Sequence, residues 1–563
     1  MIRTYCHKRN PIVKKILLSM LAPTILMNLT TAIGSMADTV IIGHYLDDLS
    51  LSVVTYATPI YMVINILSAL FAVGGCITMG IDTGEGNKEG ANKAFSIAVE
   101  MLLLFSGILF VAGLFFSKTV TSWLGAGDDV FELVRIYSRI ILMGAPAFAF
   151  NTAFAFFIRN DGRPTLSMIG MFVSIISDLI LNVVFVGYLD MGVSGAAYST
   201  VIGSVLSILV MSVHFFSKKN TLRFRFAMDG CLIRVVKNGS SSALLFIYQF
   251  ATILIMNHLI SSLAGTDGIV VYTVVFNLST VALSVFEGIS QTIQPMVSTY
   301  YGEKSFKNIK ATMRLAFIVT VIICGSCTLL LELFPAVVPT IFGIDDASIV
   351  SNAVQAVRIY AVSMTIITVN VVIGYYLQCI EESLMAAILV SLRCFVVLLA
   401  AIFSLGFLFG MNGIWAAYTV TEVICLALCI LMINVKRKNL AKKGIDANIY
   451  LLDRSVEESI ECYTCTLSEN GYDEFEKCIL SILSENGHLD VSTCEKASDY
   501  LTSLKGCVSE KRGKYVEIER CAMEGKIIIR DNLDHSKVKE AMRKYTDDPG
   551  YSPALGFNRL CLK

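Results

Sequence analysis

The chain has 563 residues, of which 55% are hydrophobic and only 16% are charged, and its formal net charge is zero. A mean hydropathy of +0.67 excludes an ordinary soluble globular chain and is typical of a membrane protein. A net charge of zero neither indicates nor excludes binding of nucleic acid. Because the basic residues are divided among short loops, we expect no nucleic-acid partner. Apolar runs fill residues 12–435, whereas residues 436–563 are rich in Lys, Glu and Asp. The composition predicts a membrane part and a soluble tail large enough for one small domain.

Twelve segments of the apolar part are long enough to cross a bilayer, since a membrane-spanning helix needs about 20 apolar residues. We number them as spans 1 to 12 in chain order. They cover about 14–37, 53–80, 94–117, 134–157, 166–187, 193–216, 240–263, 270–298, 312–335, 353–378, 384–408 and 412–435.

The basic residues predict how these spans are oriented. Lys and Arg cluster before span 1 and after every even-numbered span except span 10, whereas the connections after odd-numbered spans carry almost none. Because basic loops stay on the cytoplasmic side, both termini and the tail are expected in the cytoplasm of a cell with this protein in its inner or plasma membrane. The residues that set this pattern are Lys14, Lys15, Lys88, Lys93, Arg159, Arg163, Lys218, Lys219, Arg223, Arg225, Arg234, Lys237, Lys304, Lys307, Lys310, Lys436, Arg437 and Lys438.

Two pairs of segments indicate an internal duplication. MGVSGAAYSTV at 191–201 recurs as MNGIWAAYTVT at 411–421, and GEGNKEGANK at 84–93 recurs as GEKSFKNIKA at 302–311. The similar offsets predict two six-helix lobes, residues 1–220 and 221–438, which share one orientation because six spans is an even number. Parallel repeats of this kind form secondary transporters with a cavity between the lobes. The predicted fold class is therefore an all-α polytopic membrane protein with a small cytoplasmic α+β domain at 445–563.

Five ionisable side chains are expected deep in the bilayer, where each costs about 2.5–3.5 kcal/mol on insertion scales and therefore needs a structural or functional reason. Asp38 is in span 1, Asp178 in span 5, Glu287 in span 8, Arg393 in span 11 and Glu422 in span 12. A buried carboxylate that exchanges a proton or sodium ion for another cation is a natural coupling element. The alternatives are that Asp38 caps the outer end of span 1, that Glu287 is structural, and that Arg393 and Glu422 satisfy each other.

Polar residues near these acids extend the candidate site. Asn182 follows Asp178 by four residues, so the two lie on one helical face. Asn151, Thr200, Gln249 and Asn277 are also placed to point into the cavities. Pro23 lies inside span 1, where a proline removes a backbone hydrogen bond and favours a kink. We predict a hinge at Pro23.

Four segments resemble motifs of the multidrug and toxic compound extrusion (MATE) transporter family. MADTVIIGHYL at 36–46 is similar to the family's signature in span 1, and NTAFAFFIRNDGRPTLSM at 151–168 to the segment that follows span 4. DLILNVVFVGYLDMGVSGAAYST at 178–200 and GISQTIQPMVSTYYGEKSFKNIK at 288–310 resemble its segments at spans 5–6 and span 8. The segments fall in family order, and the resemblance covers about residues 12–435.

The resemblance implies outward extrusion of organic cations or other amphipathic compounds, driven by inward flow of sodium ions or protons. By position it implies that Asp38 is the acidic residue of span 1, Pro23 the kink proline, Asn151 the asparagine of span 4 and Thr200 the threonine of span 6. Span 5 departs from the family, which has Asn first and Asp four residues later. Here Asp178 comes first and Asn182 second, which keeps one carboxylate and one amide on a single face.

This pattern implies cation coupling at Asp38, Asp178, Asn182 and Thr200, with the first three as ligands if the ion is sodium. Asn151, Gln249, Glu287 and Asn277 are the candidate residues of the substrate cavity. Gln249 falls where some members of the family carry a glutamate in span 7, so the first lobe is the expected coupling site.

The tail does not share this resemblance. The string KYVEIERCAMEGKIIIRDN at 514–532 predicts two strands around a Met-Glu-Gly turn. The region weakly resembles the histidine-kinase-type ATPase fold, in its anti-sigma-factor branch, with Asp531 at the adenine-reading position and Glu495 and Asp499 on a helix. The glycine expected after Asp531 and the glycine-rich lid are both missing, although a phosphate cradle needs their N–H groups. We expect regulation or binding of a cytoplasmic protein rather than of a nucleotide.

The sequence therefore favours a cation-coupled antiporter for amphipathic, cationic compounds, with membrane lipid around it, no cofactor other than the coupling ion, and no catalytic constellation. Two alternatives stay open. A lipid-linked oligosaccharide flippase would need a cationic cavity for pyrophosphate, whereas the cavity candidates here are mostly carboxylates. A sensor would use the transporter-like part to signal through the tail.

Overall fold

The computed structural model describes residues 2–3, 11–46, 48–127, 130–218, 220–224, 230–341, 346–442, 462–466, 515–521 and 526–531. The chain divides into two compact units, which are described separately. One comprises residues 10–452, and the other comprises residues 1–9 together with 453–563.

The larger unit is helical throughout its described core, because apolar sequence in lipid must satisfy its backbone hydrogen bonds within each segment. The first lobe contains α1 to α8 and the second contains α9 to α14. Their bounds are α1 Pro11–Tyr45, α2 Asp48–Ser68, α3 Gly74–Gly84, α4 Lys88–Phe115, α5 Ser117–Trp123, α6 Phe131–Asn160, α7 Pro164–Asn182, α8 Gly192–Ser212, α9 Cys231–Gly302, α10 Phe306–Leu333, α11 Val337–Ile341, α12 Ala347–Cys379, α13 Ser383–Ser391 and α14 Val397–Lys442.

The twelve predicted spans are accounted for by these helices. Eleven helical stretches of the described residues are long and apolar enough to cross a membrane, and the last, Ser383–Asn439, has 57 residues. At about 1.5 Å per residue such a helix would be far longer than a bilayer is thick. Gly410 interrupts it with a φ of 60°, and Gly265 interrupts α9 with a φ of 57°. These left-handed conformations suit glycine, so each long helix is two spans joined by a tight turn.

Three π-helical turns interrupt the spans: Ala69–Val73 between α2 and α3, Val183–Tyr188 after α7, and Leu392–Val396 between α13 and α14. The last two lie in corresponding spans of the two lobes, spans 5 and 11. A π-helical turn misaligns the backbone ladder and is frequent at functional sites. Asn182 immediately precedes the second turn, and Arg393 lies within the third.

Side-chain caps fix some of the helix starts outside the spans. The carboxylate of Asp346 accepts hydrogen bonds from the backbone N–H groups of Ser348 at 2.8 Å and Ile349 at 3.4 Å, at the start of α12. These bonds favour the charged form and hold the pKa of Asp346 below its ordinary value.

The lobes meet where α3 packs against both ends of α9, a region that we call the inner junction. Glycines make this approach possible: a Cβ on Gly239 would lie 1.8 Å from the carbonyl oxygen of Leu70, and one on Gly302 would lie 2.0 Å from that of Ile81. Arg234 adds an ion pair to each lobe, with Nη1 at 2.7 Å from Asp82 Oδ1 and Nε at 2.5 Å from Glu381 Oε1. The inner junction lies on the side predicted to be cytoplasmic.

The hydrophobic cores also show that the lobes meet at the inner junction. Buried residues of the inner halves of α1 and α3, including Leu17 and Ile77, belong to one cluster with the core of the second lobe. In contrast, Val53, Tyr137 and Ala196 belong to a separate cluster formed within the first lobe. Among the described residues, apolar packing thus joins the lobes through their inner halves.

The smaller unit contains a four-stranded antiparallel sheet in the order β1 Ile2–Arg3, β2 Cys462–Thr466, β3 Tyr515–Cys521 and β4 Lys526–Asp531. Strands β3 and β4 confirm the two strands predicted within residues 514–532, whereas the predicted Met-Glu-Gly turn lies outside the described residues. The expected helices, including Glu495 and Asp499, lie outside the described residues. The pairing of Ile2 with Thr464 shows that the N-terminus of the chain supplies the edge strand, which the sequence did not predict.

The close approach at the inner junction predicts the effect of a single methyl group. Gly239→Ala should destabilise the protein by about 1–3 kcal/mol, because overpacking forces backbone shifts where the new atom meets a carbonyl. Thermal unfolding of the purified protein in detergent would measure the change. Gly107→Ala, in the middle of α4 with no atom within 4 Å of the added carbon, is the control and should be neutral or stabilising. Equal stability of the two variants would contradict the packing described here.

Candidate functional site

Asp38 and Asp178 form an acid pair inside the first lobe. Asp38 lies well within α1 and therefore does not cap it, and its Oδ1 accepts a hydrogen bond from Asn182 Nδ2 on α7. The charges of Asp38 and Asp178 are close enough to repel each other. The structure thus brings together the three residues that the sequence analysis named as ligands.

Small residues let the helices converge on this site. A Cβ on Gly34 of α1 would lie 2.4 Å from the side chain of Ile175, and one on Gly203 of α8 would lie 2.5 Å from the carbonyl oxygen of Ser174. Both contacts are with α7, which therefore packs tightly between α1 and α8. The close packing leaves the acid pair in apolar surroundings, where charge interactions are strong.

Several oxygen atoms at the site lack a hydrogen-bond donor. Thr200 and Ser199 lie beside Asp178, but both hydroxyls donate to the carbonyl oxygen of Ala196, at 3.0 and 2.7 Å. Within the part of the chain that the structure describes, the buried oxygens Asp178 Oδ1 and Asn182 Oδ1 have no partner. Buried polar atoms are rarely left unpaired, and carboxylate and amide oxygens are ligands for hard cations. The arrangement is chemically suited to a proton or a sodium ion.

Asn151, on α6, contacts α7 close to the acid pair. Its Nδ2 donates to the hydroxyl of Ser174 at 3.4 Å, one helical turn before Asp178, and its buried Oδ1 has no partner among the described residues. Asn151 therefore presents a further acceptor beside α7.

Two tyrosines adjoin the acid pair and were missed by the sequence analysis. The hydroxyls of Tyr61 on α2 and Tyr137 on α6 are 3.4 Å apart, and both interact electrostatically with Asp38 and Asp178. Each is an ordinary aromatic residue of an apolar span, so no local signal distinguished them. They supply hydroxyl groups next to carboxylates in an otherwise apolar lobe.

The remaining candidates lie in other places. Pro23 is inside α1, which continues unbroken to Tyr45. In the second lobe, Glu287 Oε2 accepts a hydrogen bond from Gln291 at 3.1 Å, Asn277 donates to the carbonyl oxygen of Thr273 at 2.9 Å, and Gln249 is partly exposed. No hydrogen bond among the described residues joins these three second-lobe residues to the acid pair. Their roles, and the hinge at Pro23, stay predictions.

Arg393 and Glu422 pair with each other, as the structural alternative expected. Arg393 Nε is 2.8 Å from Glu422 Oε1, and Asn370 Nδ2 donates to Glu422 Oε2 at 2.7 Å. All three are buried. The second lobe thus contains a neutral pair that ties α12, α14 and the π-helical turn Leu392–Val396 together.

One expectation was wrong. Arg159 was assigned to a basic cytoplasmic connection, but it lies in the last turn of α6 with only 2% of its surface exposed. Its guanidinium turns towards the second lobe and donates to Gln291 and Gln294. A position at a helix end allows either orientation, and only the packing of the lobes decides between them.

The Arg393 pair predicts a pattern of stabilities. Glu422→Leu should cost about 3–5 kcal/mol because it leaves a buried charge without its partner. The double variant Arg393→Met with Glu422→Leu should recover most of this loss, because two apolar residues can replace a buried ion pair. Thermal unfolding of the three proteins would test this. A double variant as unstable as Glu422→Leu would contradict a purely structural role.

The chain matches known proteins over its larger unit. A sequence model of the MatE family matches residues 23–184 and 240–432, one segment in each lobe. The multidrug export protein MepA of Staphylococcus saprophyticus is 23% identical over 423 residues, which cover 74% of this chain and 93% of MepA.

Solved structures show the same fold. The crystal structure of a MATE protein in complex with MaL6 superposes with a TM-score of 0.72 at 20% identity, covering 76% of this chain and 97% of that one. The outward-facing conformation of a multidrug resistance MATE family transporter superposes with a TM-score of 0.70 at 21% identity, covering 78% of this chain and 100% of that one. The chain therefore belongs to the MATE family, and it is a multi-pass membrane transporter built from two six-helix lobes.

Proposed function

We propose that this transporter is an antiporter that exports amphipathic, cationic compounds across the cell membrane in exchange for sodium ions or protons. The acid pair carries the proposal. Asp38 and Asp178 place two carboxylates in an apolar lobe, and among the described residues no Lys, Arg or His nitrogen lies within ion-pair distance of either. Their buried acceptor oxygens favour a cation over an anion or a neutral solute.

Coupling at this site needs only a difference in affinity between two conformations. A sodium ion or proton arriving from outside would be held by Asp38, Asp178 and Asn182, with Thr200 and Asn151 alongside. Neutralising the acid pair removes the repulsion between Asp38 and Asp178. It also weakens the hydrogen bond that Asp38 accepts from Asn182, so α1 can bend near Pro23. The reshaped cavity, which Gln249, Glu287 and Asn277 also line, then has lower affinity for the drug, and the drug leaves outwards. No bond is made or broken, so no catalytic residue is required.

The closed inner junction supports an outward-facing state. Glycine contacts and the ion pairs of Arg234 hold the two lobes together on the side that the positive-inside pattern assigns to the cytoplasm. In this orientation both termini are cytoplasmic, and the acid pair lies in the outer half of the first lobe. The direction of export agrees with the name of the relative MepA, a multidrug export protein.

The flippase alternative is less well supported by the same residues. A cavity for a pyrophosphate-linked lipid needs basic groups, whereas Arg393 is already neutralised by Glu422 at 2.8 Å. The site that remains is acidic, which favours cationic cargo.

Transport driven by ion gradients tests the proposal. Uptake of a fluorescent organic cation into proteoliposomes should follow an imposed sodium or proton gradient. Asp38→Asn and Asp178→Asn should each reduce this uptake at least tenfold, because each removes one of the two charges that bind the coupling ion. Glu132→Gln is the matched control, since Glu132 is exposed and paired with Arg135 away from the site. Uptake that survives both substitutions would move the site to Glu287, and no uptake under either gradient would reject cation antiport.

The sensor alternative has its own test. Removing residues 443–563 should leave gradient-driven uptake within about twofold of the intact protein, because the family match ends at residue 432. Loss of uptake in a protein that still purifies as a folded species would instead make the tail part of the transport machinery.

A further inference from the structure

A buried polar network crosses between the lobes next to the inner junction. Arg159 of α6 donates from Nη1 to Gln291 Oε1 at 2.8 Å and from Nη2 to Gln294 Oε1 at 3.3 Å, both on α9. Its guanidinium lies 4.6 Å from the centre of the Phe156 ring. No carboxylate of the described residues is within ion-pair distance of Arg159, so this buried charge rests on two neutral amides.

Gln291 connects this arginine to an acidic group. Its Nε2 donates to Glu287 Oε2 at 3.1 Å, while its Oε1 accepts from Arg159. Asn28 of α1 exchanges two weaker hydrogen bonds with the same amide, at 3.2 and 3.4 Å. A carboxylate only accepts and a guanidinium only donates, so the two charged neighbours impose a single orientation on the Gln291 amide.

The two ends of this connection differ in exposure. Gln291 is 4% exposed and Arg159 is 2% exposed, whereas Glu287 is partly exposed. In the proposed antiport, a cation between the lobes can therefore reach Glu287 but not the more deeply buried Gln291 and Arg159. The other charged or titratable groups that face Glu287 are Arg393, which is already paired with Glu422, and Tyr375. Arg159 is thus the cation whose partners depend on Glu287.

Neutralising Glu287 changes what holds Arg159. A charged carboxylate is a strong acceptor, and it fixes the NH₂ group of Gln291. When a proton or another cation occupies Glu287, this acceptor weakens, and only Arg159 and Asn28 still oppose rotation of the amide about its last side-chain bond. Rotation removes Oε1 from Arg159, and a buried guanidinium that loses an acceptor is destabilised. The contact between α6 and α9 then loosens on the cytoplasmic side.

We propose that Gln291 is a positioning residue that transmits cation occupancy of Glu287 to Arg159, and so releases the cytoplasmic side of the lobes only after the cavity is loaded. The inference rests on the proposed antiport, since it assigns a cation to the cavity. It gives the transporter a barrier to uncoupled conformational change. When no cation is bound, Glu287 is charged and Gln291 holds Arg159 in place.

Labelling of the native Cys76 thiol reports the release. Cys76 is 1% exposed, lies within electrostatic range of Arg159 and belongs to a buried cluster with Phe157 of α6 and Val235 of α9, so its reactivity should rise when the contact between α6 and α9 loosens. The rate of its reaction with a maleimide is measured on the purified full chain by peptide mass spectrometry, without drug or gradient. Glu287→Gln and Gln291→Leu should each raise this rate about tenfold, the effect expected from losing one hydrogen bond to a charged group.

The double variant decides whether the two residues act in series. If Gln291 transmits the effect, Glu287→Gln with Gln291→Leu should label no faster than Gln291→Leu alone. The proposal would be overturned if the effects of the two single substitutions on the Cys76 labelling rate multiplied in the double variant. Single variants that label like the unmodified protein would also overturn it. Gln291→Asn, which keeps an amide too short to reach both partners, should behave like Gln291→Leu and serves if the leucine variant does not fold.

Controls separate this effect from unfolding and from failure of the antiport itself. Thr292→Val removes a neighbouring hydroxyl that bonds only to the carbonyl of Gly288 in its own helix, at 2.7 Å, and should not change Cys76 labelling. Cys324, 1% exposed in α10, should stay unreactive in every variant, and a parallel rise there would mean unfolding and would overturn the inference. Binding of a fluorescent cation to Gln291→Leu should persist, because the acid pair is intact, and its loss would contradict a positioning role.

Discussion

Two like charges held in an apolar lobe are the constraint on which the transport part depends. Asp38 and Asp178 repel each other, and the amide of Asn182 donates a hydrogen bond to Asp38. In water this would cost little, but in the interior of a helical lobe an uncompensated pair is expensive. The packing of α1, α7 and α8 is therefore stable at this point only to the extent that a cation or proton is nearby. In the proposed antiport, this dependence lets ion binding bias the conformation.

The second lobe balances its buried charges in a different way. It repeats the architecture of the first, including a π-helical turn in the corresponding span, but there Arg393 and Glu422 neutralise each other at 2.8 Å. A neutral buried pair needs no external ion to balance its charge, and it holds its helices in one arrangement. The duplication has thus yielded one lobe with two acids that lack an ion-pair partner among the described residues, which is the proposed cation site, and one lobe whose buried pair is internally balanced. Glu287 of the second lobe, which has no ion-pair partner among the described residues, is connected to the first lobe through Gln291 and Arg159.

The sequence predicted the features that depend on local composition. Span positions follow from apolar length, and the duplication followed from two repeated segments, because both are properties of the chain rather than of its packing. The juxtaposition of Asp38 with Asn182 was predicted from the helical spacing of Asp178 and Asn182 and from the family resemblance. Strands β3 and β4 were recognisable from their alternation.

Contacts between distant helices were not predictable in this way. Arg159 looks like any basic residue at the end of a span, and its burial becomes apparent only when α9 is packed against α6. Tyr61 and Tyr137 are typical aromatic residues of a span until the acid pair is placed between their helices. Likewise, nothing in Gly239 or Gly302 distinguishes a glycine at a helix crossing from one in lipid. The N-terminal strand β1 is too short to show any pattern.

The central claim is that binding of the coupling cation and binding of the drug each change the affinity for the other. The most direct test is whether a drug gradient drives the cation. Because coupling free energies are symmetric, a drug gradient must drive the coupling ion as well as the reverse. Proteoliposomes loaded with an organic cation, with no ion gradient, would be followed for uptake of radioactive sodium and for internal acidification. The account predicts that drug efflux drives one of these two ions inwards, and that Asp178→Asn abolishes the movement. Drug efflux without movement of either ion would contradict it.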